Sequence, residues 1–261
     1  MRRPREMADW TQIKYETSDS IATITLNRPE KKNALSALLI AELQSAFETA
    51  GQDDAMRVLV LRGAGSDFCA GADLAQLEAL STRTIIDNLD DAREYAHLVR
   101  TMRGLGKCIV AAVHGRAFAG GAGLSAACDL VIATRSARFC YPEVRIGFVP
   151  AMVAALVTRN LGEKRAFELL TTARVWTAEE VMLAGLVNTV VDDDNFETAI
   201  DELTLGISRT SASAIQLTKS LLYQVDGMSF EQALEAGALM NAIARATPDC
   251  QQGVRKFLKK D

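Results

Sequence analysis

Aromatic residues make up only 6% of the 261 positions, and the chain holds two histidines, five prolines and five cysteines. With so few histidines and no Cys-x-x-Cys pair, the usual ligands of a zinc site are missing, and no metal is expected. Cys69, Cys108, Cys128, Cys140 and Cys250 are odd in number. They suggest free thiols in a reducing, cytoplasmic compartment rather than a disulfide framework. No apolar run reaches the length of a bilayer-spanning helix, so no membrane partner is expected. Lysine and arginine (29) are outnumbered by aspartate and glutamate (33), for a net charge of -4. With no basic stripe, nucleic acid is not an expected partner, while single lysines can still meet a small anion. The opening MRRPREMADW has positive charge but no apolar segment behind it. Residues 1–12 are expected to form an unstructured lead-in.

What the chain does have is apolar bulk, 49% of its residues, enough for a sizeable core at this length. Short runs rich in β-branched residues predict strands at 21–26, 58–62, 109–113 and 130–133. SALLIAELQSAFETAG, from Ser36, sets Leu39, Leu43, Ala46, Phe47 and Ala50 on one face of a helix expected to end at Gly51. After Glu143 the pattern turns helical, with segments at 162–171, 177–185, 195–208, 211–224, 229–246 and 249–258. Thr177 with Glu180, and Ser229 with Gln232, have the spacing of capping boxes. LVNTVV (186–191) reads as one last strand. The expected class is α/β, with a core over 13–200 and a helical region over 201–261.

Three segments could carry chemistry. In GAGSDFCAGADL (63–74), small residues at Ala70, Gly71 and Ala72 let the backbone approach a ligand, while Asp73 has the type and place of a helix cap. In VHGRAFAGGAGLSAACDL (113–130), a bend with almost no side-chain bulk precedes a helix, whose first N–H groups face a developing negative charge well. Gly121, Gly123 and Ala126 also fit G-x-G-x-x-A, but His114 to Gly120 separate them from the strand, which argues against a dinucleotide site. In ARFCYPEVRIGFVPA (137–151), Glu143 lies in an apolar run. Desolvation there would raise its pKa toward a value useful for proton transfer; an ion pair with Arg138 or Arg145 is the alternative.

Together these segments resemble the crotonase, or enoyl-CoA hydratase/isomerase, family. The resemblance runs in order and spacing from ITLNRPEKKNALS (24–36) through FCAGADL, GRAFAGGAGLSAACDL and PEVRIGFVPA to TAEEVMLAGLVNTVV (177–191). It implies a spiral of ββα units closed by C-terminal helices that trimerise, often as a dimer of trimers. It further implies an acyl-CoA thioester substrate, no separate cofactor, Glu143 as acid/base, and the amides of Ala72 and Gly120 as an oxyanion hole. CoA contacts are implied for Lys31 and Lys32 near the phosphates, and for Ala34, Ala70, Asp73 and Leu74 around adenine and pantetheine. Phe257 and Lys260 match positions that reach a neighbour's CoA site. Two-glutamate hydratases of the family carry their other catalytic glutamate where this chain has Gly123. With one carboxylate, either hydration of a 2-enoyl-CoA or a 1,3-proton shift in a 3-enoyl-CoA is expected. The chain is similar, too, to bacterial hydratases of methylglutaconyl-CoA type. Restoring a glutamate at Gly123 is expected to raise hydration of short straight-chain substrates. A scaffold that binds CoA ligands or RNA without turnover is the alternative from another class.

Overall fold

Alternation along the strands decides the layers, because successive side chains point to opposite faces. In β3 (Val58–Gly63), Leu59 and Leu61 enter the larger apolar cluster, whereas Val58 and Val60 enter a smaller one behind the sheet. In β4 (Cys108–Val113), Ile109, Ala111 and Val113 face the first cluster and Val110 and Ala112 the second. Strands buried on both faces read as continuous apolar runs, and these two do.

The computed structural model describes residues 10–73, 75, 78 and 82–259. Strands β1 (Ile13–Ser18), β2 (Ile21–Leu26), β6 (Leu130–Thr134) and β9 (Thr189–Val191) complete a six-stranded sheet in the order β1-β2-β3-β4-β6-β9. Within this sheet only the β1 and β2 pair is antiparallel. A second sheet joins β5 (Arg116–Phe118), β7 (Arg138–Cys140) and β8 (Trp176–Thr177). Helix α1 (Ala37–Gln52) is capped by the Ser36 hydroxyl, which accepts from the Leu39 N–H at 3.1 Å. It buries Leu39, Leu43 and Phe47 completely, each worth about 1.5–3 kcal/mol relative to exposure. Helices α2 (Ile85–Gly104), α3 (Gly120–Ala127), α4 (Ala151–Leu161), α5 (Glu163–Thr171) and α6 (Ala178–Ala184) follow. The chain continues through α7 (Phe196–Ser208), α8 (Ala212–Gln224), α9 (Phe230–Ala246) and α10 (Pro248–Leu258). No helix among the described residues is long and apolar enough to cross a membrane.

The four strands expected between 21 and 133 form, and both capping boxes close, at Thr177 with Glu180 and at Ser229 with Gln232. Other expectations shift. Helix α1 passes through Gly51 and ends at Gln52, with Asp53 as its cap. Trp10, Thr11 and Gln12 are held rather than unstructured. The Glu42 carboxylate accepts from the N–H groups of Thr11, Gln12 and Ile13, and Trp10 packs on Tyr15 with ring centroids 5.3 Å apart. The boundary expected at 200/201 falls inside α7, which buries Phe196 and Ile200 against the back of the sheet.

Candidate active site

The lean loops at residues 63–73 and 113–121 meet through their backbones. Cys69 forms an isolated parallel bridge with Ala117, and the Phe118 N–H donates to the Cys69 C=O at 2.9 Å. Gly71, at φ +98°, comes so close to the second loop that a Cβ there would lie 2.7 Å from the Ala119 Cβ. Only glycine meets both demands.

A second bridge sets the direction of the Ala72 amide. The Leu35 N–H donates to the Gly71 C=O at 2.7 Å, and the Asp73 N–H donates to the Leu35 C=O at 2.9 Å. Ladder groups alternate sides along an extended chain, so the Ala72 N–H points away from Leu35. Gly120 opens α3, where the first N–H groups have no intrahelical acceptor. Its N-cap, Ala119, supplies no side-chain cap. Among the described residues, two amides from different loops therefore have no backbone partner at one junction.

Glu143 reaches this junction through β7. Phe118 and Cys140 are in register, and the Ala119 N–H donates to the Cys140 C=O at 2.8 Å. Three residues later, Glu143 opens a 3-10 turn, Glu143–Ile146, that closes on Gly147. Its Oε2 is buried and has no hydrogen-bond partner among the described residues. Desolvation raises the carboxyl above its ordinary pKa. The ion pair considered from sequence does not form: the Arg145 guanidinium donates to the Ala173 C=O at 2.6 Å, and Arg138 donates to main-chain carbonyls. The Tyr141 hydroxyl is also buried and unpartnered.

Gly123 lies in α3, and the space beside it is filled. A Cβ there would fall 2.2 Å from Val153 Cγ1 and 2.5 Å from Tyr95 Oη. Neither Val153, on α4, nor Tyr95, on α2, is singled out by the sequence: Val153 only extends the apolar run after Glu143, and Tyr95 lies unremarked on an amphipathic stretch. The Tyr95 hydroxyl donates to the Gly120 C=O at 2.8 Å. Cys69, buried in the first loop where it meets the second, is no nucleophile, since burial pushes its thiol up to about 12. Among the described residues, no cluster of three or more His, Cys, Asp or Glu side chains could hold a metal ion.

The other expected site residues divide. Lys31 and Lys32 are exposed on a turn joined to the first loop, where the Ala70 N–H donates to the Lys32 C=O at 3.0 Å. Ala34 is buried, and Arg28 donates to its C=O at 2.5 Å. Asp73 pairs with Arg28 at 2.8 Å and accepts from the Ala75 N–H at 3.0 Å; the bond from Arg28 holds its carboxyl below the usual value. Arg28 thus ties the segment of Ala34 to that of Asp73. Phe257 is exposed on α10, whose main neighbours are α8 and α9. Leu74 and Lys260 lie outside the described residues.

Comparison with known proteins matches this architecture. The family model described as enoyl-CoA hydratase/isomerase matches residues 16–261. A Thermus thermophilus protein named "Putative enoyl-CoA hydratase" is 38% identical over 92% of this chain and 95% of its own. A mevalonyl-coenzyme A hydratase of Aspergillus fumigatus is 36% identical over 92% and 89%. The crystal structure of a Mycobacterium smegmatis enoyl-CoA hydratase superposes with a TM-score of 0.92 at 31% identity, covering 96% of this chain and 97% of that one. Sequence and fold agree along nearly the whole length, and the chain belongs to the enoyl-CoA hydratase/isomerase family.

Proposed function

We propose that the protein hydrates a 2-enoyl-CoA thioester, with Glu143 as its single proton carrier and the N–H groups of Ala72 and Gly120 as the donors to the thioester oxygen. The observation that carries this reading is the pairing of a buried, unpartnered carboxylate oxygen on Glu143 with two backbone amides free at the adjoining junction. Ionised Glu143 takes a proton from water as the water oxygen bonds to C3 and the C2–C3 π pair moves toward the thioester. The enolate oxygen is then held by the two amides, a kind of donor whose loss typically costs about 10²–10³ in kcat. Glu143 returns its proton to C2, so one carboxyl serves both transfers. Val144, Ile146, Phe148 and Val149, exposed beside Glu143, supply apolar surface for the acyl group. Lys31 and Lys32 suit the CoA phosphates, and Ala70 the pantetheine arm.

A second reading is favoured by the filled space at Gly123. With no second carboxylate to hold water, Glu143 can instead take a proton from C2 of a 3-enoyl-CoA and return it to C4. The conjugated-thioester absorbance separates the two. Falling absorbance with a 2-enoyl-CoA, straight or branched, supports hydration. Rising absorbance with a 3-enoyl-CoA alone supports isomerisation, and no change with either removes both readings.

The assembly we propose is a homotrimer, alone or as a dimer of trimers. Phe230, Leu234, Leu239 and Phe257 are large apolar side chains left exposed on α9 and α10, the kind of surface that marks an interaction site where it is contiguous. A second copy would cover it and bring Phe257 toward a neighbour's CoA site. A monomer in sedimentation would contradict this.

A further inference from the structure

The turn that aims the Gly120 N–H is strained. Ala119 adopts φ 50°, ψ -126° without being glycine. Such a conformation costs on the order of 1–3 kcal/mol and persists only where its surroundings over-determine it. Three hydrogen bonds do so here. The Ala119 N–H donates to the Cys140 C=O at 2.8 Å, and the Gly123 N–H donates to the Ala119 C=O at 3.0 Å. The third comes from a side chain, the Tyr95 hydroxyl on the Gly120 C=O at 2.8 Å.

Tyr95 is 8% exposed, on a different helix, and its oxygen sits against the backbone of Gly123. Burial first, and then the nearby Tyr141, Cys69, Cys128 and Glu143, raise its pKa well above the ordinary phenol value. That shift favours the protonated hydroxyl, the form that donates to Gly120. Without it, the first peptide of α3 loses its side-chain anchor beside the most strained residue of the site.

We propose that Tyr95 is a positioning residue, which fixes the Ala119–Gly120 turn through the Gly120 carbonyl so that the Gly120 N–H meets the thioester oxygen. The proposal rests on the reading that Ala72 and Gly120 hold that oxygen. It also bears on the glycine at 123: the tyrosine that secures the turn, together with Val153, uses the space a side chain there would need.

The test is Tyr95→Phe, which keeps the ring and its packing, with a 2,4-dienoyl-CoA as the probe. The absorption of a conjugated thioester moves to the red when donors polarise its oxygen, so the bound band reads the turn without turnover. The variant should bind the probe within about twofold of wild type, with kcat rather than KM bearing the loss. Its red shift should shrink, and kcat on a 2-enoyl- or 3-enoyl-CoA should fall by about ten- to a hundredfold. The pH profile of kcat, set by Glu143, should not move. A merely structural tyrosine would lower the melting temperature and leave red shift and kcat at wild-type values; that result overturns the proposal. In an Ala119→Gly background the turn is unstrained, and Tyr95→Phe should cost less than in wild type. Equal costs overturn the route through the turn. Wild-type protein that red-shifts the probe but turns over neither enoyl-CoA defeats the enzymatic reading, and the shift then decides on Tyr95. Wild-type protein that gives no shift defeats both.

Discussion

The two walls of the site are built differently. On α3, Gly121 through Ala127 are all buried, whereas Val144 through Val149, the turn after Glu143, are all exposed. The α3 wall presents backbone donors, and their direction depends on core packing, on Ala119 held at positive φ, and on Tyr95. The Glu143 wall presents a side chain whose chemistry depends on partial burial, and its apolar neighbours are free to meet an acyl group or another subunit. Geometry is kept where the chain is densely packed, and Glu143, the proton carrier we propose, sits where it is not.

Gly123→Glu should break this contrast most severely. The sequence alone suggests that the substitution restores a second carboxylate and raises hydration. The structure corrects this, because the new side chain would start 2.2 Å from Val153 Cγ1. A loss of about 1–3 kcal/mol or more from overpacking, with no gain in hydration, is expected in a denaturant melt. Pairing it with Val153→Ala should recover part of that loss; full stability in the single variant would show that the wall yields.

A smaller effect is expected from Glu143→Gln on stability. Because burial raises the folded pKa, the fold favours the protonated carboxyl, and wild type loses stability as pH rises from the unfolded pKa through the folded one. The glutamine variant lacks that loss. Its melting temperature should exceed that of wild type at neutral pH, and the gap should close as pH falls below the ordinary glutamate range. The smallest effect belongs to Ile146→Ser on the exposed wall, within about 0.5 kcal/mol of wild type. A cost comparable to that at Gly123 would erase the distinction between the walls.

What the sequence made legible follows the length of its signals. The strands at 21–26 and 109–113 have enough apolar residues to declare themselves, and Thr177 with Glu180 announces a helix start. Strands β5, β7 and β8 span two or three residues, too few for any periodicity, yet β5 and β7 carry Phe118 and Cys140 to the site. Helix α4 was hidden because its AMVAALV opening extends the apolar run after Glu143. Within the site, Glu143 stood out as a carboxylate among apolar residues. Tyr95 did not, since it lies 25 residues before Gly120 and bonds to a backbone carbonyl that no side-chain pattern reveals. Arg28 was missed for a similar reason: its partner Asp73 already read as a helix cap.

The most direct measurement compares Glu143→Gln with wild type in one preparation, recording turnover of enoyl-CoA and binding of the dienoyl probe together. With a single proton carrier, turnover should fall by about 10²–10⁴-fold while the probe binds as tightly, and with the same red shift, as in wild type. Turnover at the wild-type rate in the variant would contradict the assignment of Glu143, and with it the account of how this site moves a proton.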